Sequence, residues 1–286
     1  MKKSQISIIF SFFLVLSILN FNTVPSEKPT IIETDENTLY VGGSGPANYS
    51  KIQNAIDNSS NGYTIFVYSG EYLESIIINK SIILQGENKQ NTILNSETRT
   101  AINIKSNNIS ISGFKIITLS YSEVKIDIRS DNSTINNNII HGVVFLLSSN
   151  NNIIFQNEII NGGIRLFDSS SNKIIDNIIG KHRFTGVKIG QYSLNNIVSY
   201  NTIKFCVLGI DLFDKENKIF SNNFYFNFLD GRISYRDGNY STWHHNYWGK
   251  PRVTPKLLFG FGLFDYGSPY CIDFDLNPSL RKNKYS

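Results

Sequence analysis

Asn152-Ile153-Ile154-Phe155-Gln156-Asn157-Glu158-Ile159 and, twenty residues on, Asn172-Lys173-Ile174-Ile175-Asp176-Asn177-Ile178-Ile179 share one pattern, Asn-x-Ile-x-x-Asn-x-Ile. It recurs at Asn196/Val198/Asn201/Ile203 and Asn217/Ile219/Asn222/Phe224. Looser copies stand at Ile109/Ile111/Phe114/Ile116, Ser133/Ile135/Asn138/Ile140 and Ser241/Trp243/Asn246/Trp248. With the second Asn as ruler, positions 114 (a Phe), 138, 157, 177, 201, 222 and 246 are separated by 24, 19, 20, 24, 21 and 24 residues. A recurring unit of that size marks a solenoid, one turn per step.

Between the Asn motifs runs a second alternating stretch: Ile126-Asp127-Ile128, Val144-Phe145-Leu146, Ile164-Arg165-Leu166, Val187-Lys188-Ile189, Ile210-Asp211-Leu212 and Ile233-Ser234-Tyr235. Period-two alternation of branched residues is a strand signal, and this region lacks the 3.6-residue periodicity of crossover helices. Each coil therefore carries at least two short strands, and the fold expected is all-β: a right-handed, single-stranded parallel β-helix. The repeated Asn suits sharp left-handed turns, and identical amides stacked one coil apart can hydrogen-bond to one another. Asn157, Asn177, Asn201, Asn222 and Asn246 read as scaffold.

Open strand edges at the ends of a solenoid need caps. Ile52, Ala55 and Ile56 fall at helical spacing behind Ser50, a suitable N-cap, and predict a short N-terminal capping helix. Pro251, Pro255 and the aromatic run Phe259 to Tyr270 break the repeat at the other end. The divisions expected are 1–22 as signal peptide or N-terminal anchor, 23–37 as linker, 38–250 as β-helix and 251–286 as C-terminal capping segment.

Lys2-Lys3, the apolar run Ile6 to Leu19 and the polar stretch Asn20 to Pro29 follow the order of a secretory signal and imply export, to a secreted or cell-surface location. The apolar run is short for a membrane span, and membrane contact is expected only through this segment. Of 27 basic residues, Lys2 and Lys3 belong to it, leaving 25 against 23 acidic ones, too weak a balance for a nucleic-acid binder. Cys206 and Cys271 allow one disulfide in an oxidising compartment; a free, buried Cys206 is the other reading.

The segments Tyr49 to Ile56, Tyr68-Ser69-Gly70-Glu71-Tyr72 and Ile82-Ile83-Leu84-Gln85-Gly86-Glu87 resemble the opening of pectin-lyase-like β-helix proteins. The Asn motifs resemble the NosD-like branch. Asn246-Tyr247-Trp248-Gly249-Lys250-Pro251-Arg252 and Ile272-Asp273-Phe274-Asp275 are similar to the end of archaeal surface or secreted members. The resemblance runs from about Leu39 to Pro278. It implies the fold; the architecture itself hosts lyases, hydrolases, epimerases and adhesins, so it assigns no activity.

Outward residues of successive inner strands form a column, Asp127, Phe145, Arg165, Lys188, Asp211 and Ser234, one strand spacing (roughly 4.8 Å) apart. Arg165, Lys188 and Asp211 are the candidate catalytic cluster of a polysaccharide lyase, which needs a base beside a carboxylate held by cations, calcium among them. Stacked unlike charges are also ordinary cross-strand pairs. A second column, Ser130, Ser148, Asp168, Gln191, Asp214 and Asp237, would set Asp168 and Asp214 two coils, on the order of 9 to 10 Å, apart, a separation used by inverting glycosidases. Asp is a common turn residue as well. His141-Gly142 lacks the surroundings of the polygalacturonase motif.

The NosD-like branch carries a copper-associated label, but Met1 is the one Met, and His141, His182, His244 and His245 are the four His. No metal site and no cofactor are assigned. Tyr235, Tyr240 and Tyr247, near Trp243 and Trp248, offer rings for sugar faces, whereas the two Trp suit capping of the core. Asn48, Asn58, Asn79, Asn108, Asn132 and Asn239 open Asn-x-Ser/Thr sequons. The reading is an exported β-helix that recognises polysaccharide or a cell-envelope glycan without catalysis; the alternative is a lyase or glycoside hydrolase acting on acidic polysaccharide.

Overall fold

Each coil is made of three short strands, one more than the minimum of two expected. The computed structural model describes residues 37–118, 124–181, 185–233, 241–250, 254–261 and 270–284, with backbone only at 259–261 and 270–274. About nine coils wind into a right-handed parallel β-helix with one helix, Ile52–Asn58, at its start. The first stack of strands begins at Ile76–Ile78 and runs through Ile102–Ile104, Val124–Ile128, Val143–Leu147, Ile164–Phe167, Thr185–Ile189 and Leu208–Leu212 to Leu229–Ile233. A second stack runs from Thr38–Val41 to Thr242–His244, and a third from Gly70–Leu73 to Asn223–Tyr225. Within each stack every pairing is parallel and, apart from a shift between Val124 and Ile126, in register, as in Ile135↔Ile154↔Ile174↔Val198↔Ile219↔Trp243. The Asn motif covers both the second and the third strand, as in Ile153–Phe155 and Glu158–Ile160, which only a single corner separates.

The inward Ile, Val and Leu of all three stacks are fully buried and form one continuous core. At the corner between second and third strands, a buried Asn stands in every coil from Asn138 to Asn246. Its Oδ1 accepts the backbone N–H of the equivalent residue one coil earlier: Asn138 to Asn157 at 3.1 Å, Asn157 to Asn177 at 2.9 Å, Asn177 to Asn201 at 2.9 Å, Asn201 to Asn222 at 3.0 Å and Asn222 to Asn246 at 3.0 Å. A second column, Ser133, Asn152, Asn172, Asn196, Asn217 and Ser241, does the same at the corner before the second strand. These amides satisfy corner N–H groups that the strand pairings leave over, in a place water does not reach. The left-handed residue of the corner is the one before the Asn: Asn137, Gln156, Asp176, Tyr200, Ser221 and His245 have φ of 51 to 59°. The repeated Asn is therefore kept for its buried amide, not for its backbone.

The expected N-cap is corrected. Lys51, not Ser50, is the N-cap and makes no side-chain cap bond; Glu74, from the first coil, accepts the N–H groups of Ile52 (2.8 Å) and Gln53 (3.0 Å) instead. Cys206 is buried, its Sγ donating to Lys204 O at 3.5 Å; the side chain of Cys271, the other half of the expected disulfide, lies outside the described residues. At the C-terminal end Lys256–Phe261 and Tyr270–Asp275 form an antiparallel hairpin that continues the first and second stacks. Trp243 and Trp248 are buried under it, Trp248 stacked on Phe224 at 4.5 Å.

Candidate functional site

The first stack carries the predicted column as far as Asp211: Asp127↔Phe145, Phe145↔Arg165, Arg165↔Lys188 and Lys188↔Asp211 are register partners. The next member is Arg232, not Ser234. Ile233 pairs with Leu212, which places Gly231 opposite Ile210. A glycine at this inward position hides the alternation from a sequence reading; Leu258 of the hairpin and Trp243 fill the space a side chain would take, each within 3.3 Å of the missing Cβ. Ser234, Tyr235, Asp237 and Tyr240 lie outside the described residues, as does His182.

Over this column lies a groove of about 510 Å³. Phe145 and Phe167 line it together with Arg165, Lys188, Asp211 and Arg232. Asp211, the one carboxylate among the described lining residues, is held by Arg232 in a bidentate pair, Nε to Oδ1 at 2.8 Å and NH2 to Oδ2 at 2.7 Å. Its side chain is 2% exposed. Both oxygens face a guanidinium, and that hydrogen bonding pushes the Arg232 pKa further above its usual value. A carboxylate so engaged and so little exposed presents little of either oxygen to a ligand. Lys188 makes no ion pair among the described residues; its Nζ sits 4.7 Å above the Phe213 ring, which also carries Arg232 at 5.8 Å. The groove thus offers cationic donors over aromatic surface.

The other candidates do not converge here. Asp168, exposed and left-handed (φ 48°), accepts the Ser148 hydroxyl at 2.8 Å. Asp214 belongs to an adjacent column that runs Ser149, Ser169, Ser193, Asp214; it accepts the N–H groups of Ser193 (3.2 Å) and Lys215 (3.0 Å). The two carboxylates are therefore not stacked members of one column. Tyr247 bridges to Asn223 at the end of the third stack, on a different side from the groove, with its ring tilted on Tyr225.

A feature the sequence reading missed borders the groove. Phe205 and Phe226, 51% and 80% exposed, stack at 5.3 Å and 10° in successive coils, both with positive φ. Val207, exposed beside them, lines the groove wall. The available signal was an aromatic at a corner position where Asn161 and Lys181 stand in earlier coils.

Stack geometry and long in-register columns define a parallel β-helix of the kind found among periplasmic and cell-surface proteins. The chain belongs to the NosD family, described as periplasmic copper-binding protein (NosD), whose profile matches residues 56–256. A cell surface glycoprotein of Methanothermus fervidus is 41% identical over 71 residues, which span 24% of this chain and 12% of that protein. Among solved structures, the catalytic domain of a GH87 α-1,3-glucanase in complex with nigerose aligns over 83% of this chain and 49% of its own, at 15% identity and a TM-score of 0.54. The pectin methylesterase PemA from Erwinia chrysanthemi aligns over 77% of this chain and 92% of its own, at 9% identity and a TM-score of 0.49. At such identity the glucanase likeness is one of fold.

The family's copper finds no fitting ligand set among the described residues. No group of three or more His, Cys, Asp and Glu there could hold a metal ion. His141 lies on the third stack beside Lys115, and burial together with that cation holds its pKa below the usual range. His244 and His245 are turned onto each other, Nδ1 to Nδ1 at 3.0 Å, and the Cys206 thiol is buried beneath the coil.

Proposed function

We propose that this chain is an extracytoplasmic β-helix that recognises polysaccharide or another cell-envelope glycan along the groove of its first stack and carries out no reaction there. The observation that carries this reading is the bidentate closure of Asp211 by Arg232. It engages the one carboxylate among the described lining residues, while Lys188, which makes no ion pair among the described residues, lies over Phe213. Ammonium and guanidinium groups beside Phe145 and Phe167 suit a chain of sugars with acidic or hydroxyl substituents, whose apolar ring faces rest on the aromatics. The family's periplasmic description supports the location.

The test is a glycan array probed with the purified protein, with and without calcium, following retention and the release of unsaturated uronate or new reducing ends. Retention without turnover is expected, weakened about tenfold (roughly 1.4 kcal/mol) by Lys188→Ala. Turnover would overturn the reading and make Arg165, Lys188, Asp211, Asp168 and Asp214 catalytic suspects; absence of any retention would overturn it in favour of a spacer.

A further inference from the structure

Five of the six sequons lie among the described residues, and their surroundings divide them. Asn79, Asn108 and Asn132 occupy the turn from first to second strand in three successive coils. Asn79 follows Ile78, whose register partners Ile104 and, one coil on, Ile128 lead into the turns holding Asn108 and Asn132. All three are exposed, and their side-chain amides make no hydrogen bond among the described residues. The hydroxyl residues two positions on are accessible as well: Ser81, Ser110 and Thr134 are half-buried, the last two being register partners on the outer face of the second stack. The other two sequons differ. Asn48 Nδ2 donates to Gly42 O at 2.6 Å, and Asn58 Nδ2 to Asn54 O at 2.8 Å.

The scaffold explains only part of this pattern. Asn108 and Asn132 have φ of 59 and 58°, and a left-handed corner favours Asn. That does not account for the Ser or Thr that completes each triplet. At the same corner of later coils, Asn151 and Asn195 are followed two residues on by Ile153 and Ile197. Asn79 is not among the left-handed residues at all. The buried column Asn cannot form such a triplet, because two residues beyond each of them comes an inward side chain such as Ile154 or Ile159.

We propose that Asn79, Asn108 and Asn132 are N-glycosylated, so that the first coils carry a file of glycans along one edge. The donor would be a lipid-linked oligosaccharide activated as an anomeric phosphate or diphosphate. The bond from anomeric carbon to Asn Nδ2 forms, the bond from that carbon to the phosphate oxygen breaks with the electron pair leaving on phosphate, and one amide proton is lost. Asn108 and Asn132 stand at equivalent positions one coil, roughly 4.8 Å, apart, and Asn79 falls earlier in its turn, level with Lys105, so the glycans must project away from the turn. The coil of Asn132 holds Asp127, two register steps before Arg165, so the file stops short of the cationic groove. This inference does not depend on what the groove binds.

Glycopeptide mass spectrometry of the full chain isolated from its native cells tests it. Peptides containing Asn79, Asn108 and Asn132 are expected to carry sugar mass, and those containing Asn48 and Asn58 none. In the same cells, Ser81→Ala, Ser110→Ala and Thr134→Ala should each remove one glycan and leave the other two. Unmodified Asn at all three positions would overturn the proposal, as would equal modification of Asn48 and Asn58, which would mean that exposure and a free amide select nothing.

Discussion

At the N-terminal end of the solenoid the first coil reaches out to its cap, whereas at the C-terminal end the cap reaches into the last coil. The helix Ile52–Asn58 has seven residues, too few to hold on propensity. Glu74 accepts its first N–H groups, and Lys80 Nζ donates to the carbonyls of Ile56, Asp57 and Ser59 at its far end. In return the Gln53 amide takes the N–H of Ile77 (2.8 Å) and donates to its carbonyl (3.3 Å), closing the edge of the first stack. At the other end Asp275, fully buried, accepts from Asn246 N–H, Asn246 Nδ2 and Trp248 Nε1, all at 3.1 Å, and from Asn277 N–H at 3.2 Å. The difference follows from the polarity of the Asn column. Every coil donates its corner N–H forward to the next coil's Oδ1, so the last coil is left with buried donors. A carboxylate, which only accepts, is the group that ends such a series.

The largest effect should come from breaking that end. Asp275→Ala leaves the Asn246, Trp248 and Asn277 donors without an acceptor, and a loss of about 3 to 5 kcal/mol is expected in urea unfolding. Asp275→Asn, which keeps an acceptor oxygen, should lose less. A cost for Asp275→Ala below about 1 kcal/mol would mean that the column does not need a terminator. The N-terminal end should be more forgiving, because Glu74→Ala exposes helix N–H groups close to water. About 1 to 2 kcal/mol is expected, with the loss of hydrogen-exchange protection confined to the helix and Ile77. Equal costs at the two ends would erase the contrast.

How much of this was legible depends on where each partner sits in the chain. The steps of 24, 19, 20, 24, 21 and 24 residues read from sequence are the separations of the hydrogen-bonded corner residues, Phe114 and Asn138 included. Burying an amide at every coil imposes the same residue type at every coil, and the repeat becomes visible. The helix cap was not legible: Glu74 lies 22 residues from Ile52, and no local spacing signals it. Arg232 was missed because Gly231 breaks the alternation that would have placed it. The Arg165, Lys188 and Asp211 column was visible as charge on one face, but whether Asp211 was available for chemistry depended on that missing arginine. Phe205 and Phe226 were overlooked because their corner holds different residue types from coil to coil, Asn161 and Lys181 standing there in earlier coils.

The smallest effect expected separates the ends by pH. In the last coil His245 Nε2 lies 2.8 Å from Asn277 Nδ2, a nitrogen that only donates, so Nε2 accepts. Neutral His245 then carries its proton on Nδ1 and donates it to His244 Nδ1 at 3.0 Å. Protonating His244 would set two N–H groups against each other. Burial, and next the neighbouring His245, hold the His244 pKa below 6.5, outweighing the pull of Asp275. The folded value thus lies under the unfolded one, and the unfolded chain takes up more protons as the pH falls through 6.5. Stability is complete above that pH and declines as the pH drops toward the folded value. Residues 37–118 contain no His, so this term is absent from the N-terminal end. Between about pH 7 and pH 5, hydrogen exchange should show Asn246 and Tyr247 losing protection while Ile52 and Gln53 keep theirs. His244→Phe, which preserves the 5.0 Å stack on Phe220, should flatten that acid response. If the variant loses protection as the wild type does, or the helix loses it equally, the histidine pair is not what makes the two ends differ.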